Sequence, residues 1–212
     1  IGGNWRQAAL GFGAALVLGL LWLGVTALLV TRTAAAAGVL ADALAAYEAP
    51  VGPAAPATAT VKFATDTERL DTAEKGFKRV MSKYWLTPQA RAARLYLGRI
   101  AMERGDADGA IRMLSEVARR KSDDTVVRLA MLGLVQLRLS RGEGVQLAPE
   151  LEAMAAGKDP RLPRDVALLE LGRVWEREGK GDEAIKYYRK LIEDFPDSPY
   201  RSEAQQRISA LS

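Results

Sequence analysis

The sequence predicts an all-α protein in which a single N-terminal transmembrane helix precedes an α-solenoid of repeated helix pairs. Three observations support this fold class. A long uncharged run lies near the N-terminus, the C-terminal part of the chain repeats itself at a fixed offset, and Ala and Leu dominate the composition. Because Val, Ile and Thr are modest in number, this composition favours helices over strands.

The uncharged run comprises residues 8–30, and Arg6 and Arg32 bracket it. A helix of this length spans about 34 Å, slightly more than the roughly 30 Å hydrocarbon core of a bilayer. A cleaved signal peptide and a buried helix of a soluble domain are the alternatives, but the apolar region of a signal peptide has only about 7–15 residues. The run therefore predicts a retained transmembrane helix in the lipid bilayer, preceded by a flank of residues 1–7.

The orientation of this helix is weakly specified, because one arginine lies on each side of the span. We expect the N-terminus in the cytoplasm and the repeats on the opposite side. Residues 31–48 are Ala-rich and predict a helical extension of the span. Residues 49–65 form an Ala/Pro-rich linker, whose prolines exclude a helix and favour an extended, semi-rigid spacer.

The repeats begin near residue 66 and continue to residue 212. Residues 95–120 align without gaps with residues 169–194, an offset of 74 that corresponds to two repeats of about 37. Residues 72–90 match the second half of such a unit, and residues 128–144 supply a degenerate unit between the two clear copies. The second helix of the degenerate unit has lost the pattern, and the final residues suit a C-terminal capping helix.

Small residues within each unit indicate where its two helices cross closely. Gly98, Gly133 and Gly172 occupy this position in the first helix, and Ala110 and Ala184 are expected to meet it from the second helix in the two clear units. A glycine then closes the first helix, and an aspartate caps the next. A large apolar residue follows four positions after each alanine.

This pattern resembles the tetratricopeptide repeat. Its characteristic positions are occupied in the last unit by Leu171, Gly172, Ala184, Tyr188 and Pro196. The resemblance implies a stack in which each helix pair buries its apolar face against its neighbours and presents a concave surface lined by the first helices. Counted from the glycines, Arg99, Met102, Arg173 and Glu176 face this surface and are the predicted partner-binding residues. Trp85 and Trp175 are predicted to lie in the core or between repeats.

The composition predicts that the protein is not an enzyme. The chain has no histidine and no cysteine, so it lacks the usual general base, a thiol nucleophile and the commonest metal ligands. No phosphate-binding loop, dinucleotide motif or metal-ligand spacing is present. We therefore predict no catalytic residue, no cofactor and no metal site. The net charge of +4 is mild and acidic residues are interleaved with the basic ones, which predicts no binding of nucleic acid.

The order of membrane helix, spacer and degenerate repeats resembles the YfgM-like family of bacterial inner-membrane proteins, as do Asn4, Trp5 and Arg6 before the span. That resemblance implies a single-pass inner-membrane protein with a periplasmic repeat domain, ancillary to the translocon and associated with periplasmic chaperones. The function expected is an interaction scaffold, an accessory or assembly factor for protein translocation or envelope protein handling. The alternative is a structural subunit bound stably in a larger membrane complex through its transmembrane helix.

Overall fold

The computed structural model describes residues 5–52 and 59–212, with the backbone alone for residues 5–17 and 21. The described part of the chain is helical, which confirms the predicted all-α class. Residues 1–4 of the predicted flank and residues 53–58 of the predicted linker lie outside it. Its helices are α1 (Trp5–Tyr47), α2 (Asp66–Lys83), α3 (Pro88–Glu103), α4 (Ala107–Ala118), α5 (Thr125–Ser140), α6 (Gly144–Ala155), α7 (Arg164–Arg177), α8 (Gly181–Asp194) and α9 (Arg201–Leu211).

The chain divides into two compact units, residues 1–93 and residues 94–212. The first unit contains α1 and α2, and its α1 is an unbroken helix of 43 residues. The large apolar side chains that the structure describes between Leu18 and Val30 of α1 are exposed, with Trp22 71% and Val30 69% accessible. By length and composition, residues 18–47 form one helix apolar enough to cross a bilayer. This helix is compatible with a single-pass membrane anchor or with a signal sequence.

The second half of α1 packs against α2. Ala36, Ala43 and Ala46 are buried on α1 at helical spacing, and they face the buried side chains of α2. The two backbones approach closely, because a Cβ placed on Gly76 of α2 would lie only 2.7 Å from the Cβ of Ala43. The rings of Tyr47 and Phe77 meet edge to face at 6.3 Å. The predicted helical extension is therefore a packing partner for α2.

The ends of the Ala/Pro-rich segment are hydrogen-bonded to each other. The amide of Gly52 donates to the carbonyl of Phe63 at 2.9 Å, and the amide of Phe63 donates to the carbonyl of Pro50 at 3.2 Å. This segment closes a loop, in contrast to the extended spacer that its composition suggested. The reason lies in α1 and α2, whose antiparallel packing brings the two ends of the segment together, while the prolines prevent only helix formation.

The second unit repeats every 37 residues. Gly105, Gly142 and Gly179 all have positive φ, between 70° and 76°, and they close α3, α5 and α7. The following helices begin at Ala107, Gly144 and Gly181, again 37 apart. Asp106 caps α4 by accepting from the amide of Gly109 at 2.8 Å, whereas α8 has no side-chain cap. Of the two predicted aspartate caps, the structure therefore has only the one between α3 and α4.

This period corrects the alignment of the middle unit. The residue equivalent to Gly98 and Gly172 is Val135, which is buried, and not Gly133 as predicted. The predicted register was shifted by two residues because Gly133 is a small residue close to the position of Val135. In the structure Gly133 lies beneath Leu114 of α4. With the bulky Val135 at this position, the backbones of α5 and α6 are close to each other over a shorter stretch than those of α7 and α8.

The second helix of the middle unit keeps the repeat pattern. Leu147, Leu151 and Met154 of α6 are fully buried, and they lie 37 residues after Ala110, Leu114 and Val117. Pro149 lies inside α6, where it removes one backbone hydrogen bond without ending the helix. The prediction that this helix had lost the pattern was therefore wrong. The repeat is hidden in the sequence because Leu147 stands where the first unit has the small residue Ala110.

Arg161 joins the loop between α6 and α7 to the rest of the second unit. This residue is 5% exposed, and its guanidinium donates to Asp159 at 2.7 Å, to Glu150 at 2.6 Å and to the carbonyl of Ala118 at 3.3 Å. Hydrogen bonds of this kind satisfy a buried charge that would otherwise be strongly destabilising. Arg161 thus ties the loop before α7 to α6 and to the end of α4.

The glycines of the two clear units pack against large residues of their partner helix. The nearest atoms to a Cβ on Gly98 belong to Leu114, at 2.7 Å, and a Cβ on Gly172 would overlap the ring of Tyr188. The predicted contact of Gly98 and Gly172 with the alanines stays a prediction, and the nearest neighbours of these glycines are Leu114 and Tyr188. The large residue, one turn beyond the alanine, fills the space that each glycine leaves.

We predict that Gly172→Ala lowers the free energy of unfolding by about 1–3 kcal/mol, because the added methyl group overpacks a fully buried ring. Thermal unfolding followed by circular dichroism measures the loss. Gly181→Ala is the matched control, since a Cβ at Gly181 meets only Leu211 at an ordinary 3.9 Å and alanine favours the helix. Equal midpoints for the two variants would contradict the proposed packing.

Candidate functional site

A groove runs along α3, α5 and α7 in the second unit. It consists of two cavities of about 250 Å³ and about 470 Å³ that share Leu132 and Gln136 of α5. The smaller cavity is also lined by Leu95, Arg99, Met102, Leu114, Leu129 and Gly133. The larger cavity is also lined by Leu139, Glu170, Arg173, Glu176, Arg177 and Arg207. These residues define the groove.

The structure places all four predicted partner-binding residues on the walls of the groove. Arg99 and Met102 line the smaller cavity, and Arg173 and Glu176 line the larger one. Each pair lies one and four residues beyond its crossing glycine, so both pairs face the same side of the stack. Their part in binding a partner stays a prediction.

Sequence reasoning missed the central residues of the groove. The 37-residue period places Gln136 in line with Arg99 and Arg173, and Leu139 in line with Met102 and Glu176. The signal that identifies them is Gly142, whose turn position repeats that of Gly105 and Gly179. Aligning the middle unit on Gly133 hides this register.

The charged side chains of α7 are already engaged within the chain. Arg173 donates to Glu170 at 2.6 Å and to Glu203 of α9 at 2.7 Å. Glu176 accepts from the hydroxyl of Tyr188 at 2.8 Å and from Arg207 of α9 at 2.9 Å. These contacts fasten α9 across the end of the stack, so the larger cavity is closed on one side by the capping helix.

Burial raises the pKa of two groups beside the groove. Burial raises the pKa of Glu170 above its ordinary value, and the nearby Arg173 only partly opposes this effect. The pKa of Tyr188 is also raised, first by burial and then by its hydrogen bond to Glu176. Tyr188 therefore remains a neutral hydrogen-bond donor, and Glu170 carries its charge at an energetic cost.

The smaller cavity is mainly apolar. Met102 and Leu132 are half-buried, Leu129 is 45% exposed, and the Gln136 side chain is exposed at the junction of the two cavities. Arg99 is exposed at the rim, with its guanidinium 5.5 Å from the Tyr96 ring. The groove thus offers apolar walls around a central amide.

The two tryptophans that were predicted to be buried differ in their exposure in the structure. Trp175 is half-buried against the core, and Lys180 lies 4.8 Å from its ring centroid, as expected for a packing residue. Trp85 is 68% exposed, so its predicted core position was wrong. The reason is its place in the turn that follows α2, one residue beyond the buried Tyr84.

We expect Glu170 to make stability depend on pH. The native state holds the Glu170 proton more tightly than the unfolded chain, so this group stabilises the fold at low pH. That contribution is lost as the pH rises from 4.5, the ordinary pKa of a glutamate, through the raised pKa of Glu170 in the folded state. Glu170→Gln should remove this loss, as measured by thermal unfolding at a series of pH values. An unchanged pH profile relative to the exposed control Glu178→Gln would contradict the assignment.

Comparison with known proteins supports the fold. Two solved structures are similar to this chain, and both are of a protein from Podosopora anserina described as a putative kinesin light chain with nearly identical TPR-like repeats. Each superposes with a TM-score of 0.53, and the aligned region covers 68% of this chain and 78% of the solved chain. The sequence identity is 18% for one structure and 17% for the other. No curated protein matches the sequence.

The family comparison agrees with the repeat fold. The tetratricopeptide repeat-like domain matches residues 53–198, which is more than half of the chain. The matched range includes α2 through α8 and ends before the capping helix α9. The chain belongs to the tetratricopeptide repeat-like domain family.

Proposed function

We propose that the chain is a membrane-anchored interaction scaffold whose groove holds a segment of another polypeptide. The observation that carries the proposal is the alignment of Arg99, Gln136 and Arg173 along one groove at a period of 37 residues. Groups at a regular spacing on successive first helices suit a partner that lies along the stack. The scaffold has no chemical step to perform, so it acts by binding.

The groove favours a segment that is mainly apolar. Met102, Leu129 and Leu132 form walls on which small or medium apolar side chains gain burial. The Gln136 amide has both a donor and an acceptor, which suits hydrogen bonds to a partner main chain. Arg173 and Glu176 already have intramolecular partners, so a strongly charged segment would have to compete with Glu203 and Arg207.

The membrane anchor and the cellular role belong to the same proposal. The exposed apolar side chains between Leu18 and Val30 support insertion of the uncharged run, residues 8–30, in a bilayer. The likeness to the YfgM-like family supports a bacterial inner-membrane protein with a periplasmic repeat domain. An accessory or assembly factor that holds polypeptides emerging from a translocon would use both parts.

A photo-crosslinking residue at Gln136 tests the groove directly. Incorporated in the full chain in cells, it should form adducts with partner polypeptides, because Gln136 lies where the two cavities meet. The same residue at Gln146, an exposed glutamine of α6 that lines neither cavity, is the matched control. Mass spectrometry identifies the adducts.

Abundant adducts from Gln146 and few from Gln136 would contradict the groove proposal. One partner in a fixed ratio, captured equally from both positions and from the span at Val25, would favour the alternative of a stable subunit in a larger membrane complex. Many partners in low ratio, captured from Gln136 alone, are the expected result for a scaffold with transient clients.

A further inference from the structure

The turn between α2 and α3, residues 84–87, exposes two adjacent large apolar side chains. Trp85 is 68% exposed and Leu86 is 63% exposed. The backbone of this turn is well supported, since the amide of Thr87 donates to the carbonyl of Tyr84 at 2.9 Å. A fixed pair of exposed apolar residues points to a contact outside the folded chain.

The packing of α1 on α2 determines which residues of α1 lie at the same height along the helix axis as this turn. The helices are antiparallel, because Gly76 lies against Ala43 whereas Arg69, earlier in α2, lies over the ring of Tyr47, later in α1. Trp85 lies nine residues beyond Gly76, which is about 14 Å along the helix axis. The same distance along α1, in the opposite direction from Ala43, ends near residue 34.

The burial along α1 ends at the same level. Ala36 is fully buried and Thr33 is half-buried, whereas Arg32 and Val30 are exposed. The uncharged run of the proposed membrane span ends at Val30. The exposed turn therefore lies within about one helical turn of the end of the span, at the depth where bilayers favour amphipathic aromatic rings.

The charge around the turn complements an anionic surface. Residues 75–93 include five basic residues and no acidic residue. Arg79 and Lys83 are exposed on the last turns of α2, whereas the exposed Lys78 is paired with Glu74. Basic residues next to a span are attracted to anionic headgroups.

We propose that the turn at residues 84–87 is a second membrane contact. Trp85 and Leu86 enter the boundary between headgroups and acyl chains of the bilayer that α1 crosses, and Lys83 lies among the headgroups. This inference rests on the proposed function in one respect, the insertion of α1. It adds that α2 holds the first unit against the bilayer at a defined height.

Depth-dependent quenching of single-cysteine variants tests the contact. The chain has no cysteine, so Val25→Cys, Leu86→Cys and Val61→Cys each introduce one labelling site. Val25 lies in the span, and Val61 is an exposed apolar residue beside Phe63, at the opposite end of the α1–α2 hairpin. The full-length variants carry an environment-sensitive fluorophore in vesicles of phosphatidylcholine and phosphatidylglycerol that contain lipids with a shallow or a deep nitroxide.

The expected result is strong quenching of Val25→Cys by the deep nitroxide and loss of most Leu86→Cys emission with the shallow nitroxide. Val61→Cys should keep its emission with both. If Val25→Cys is quenched while Leu86→Cys behaves like Val61→Cys, the second contact is wrong and the anchor stands. Absence of quenching at Val25→Cys overturns both, and equal quenching at Val61→Cys overturns the proposed height.

Discussion

The fold depends on close contacts between paired helices in which a small residue of one helix lies beneath a larger residue of the other. Gly98 packs under Leu114, and Gly172 packs under Tyr188. A single helix pair cannot bury both of its apolar faces, so each pair is stable only within the stack. The same contacts set the rotation of the first helices and thereby place Arg99 and Arg173 on one line of the groove.

Helix α1 has two parts that differ in sequence and in burial. Large exposed side chains such as Leu18 and Trp22 suit contact with lipid, where bulk adds apolar surface. From Ala36 onward the buried residues are small, because they must allow α2 to approach. One continuous helix therefore provides both an apolar span and a packing face for the first folded unit.

The sequence predicted the features that depend on local pattern. The helical class, the apolar span and the groove positions of the two clear units follow from periodicity and from glycine spacing. It did not predict the register of the middle unit, since Val135 replaces the crossing glycine and a nearby Gly133 draws the alignment away. Nor did it predict the partners of Arg161 or Glu176, because these contacts join residues that are far apart in sequence and depend on tertiary structure.

The central claim is that the long apolar helix α1 continues into the folded part and packs there, with no free spacer between them. Hydrogen exchange of the full chain in lipid nanodiscs tests it most directly. Amides of residues 33–47 should exchange as slowly as those of the buried face of α2, because their helix is covered by Leu70, Ala73, Phe77 and Val80. Exchange of residues 33–47 at the rate of an unfolded chain, with α2 still protected, would contradict the account.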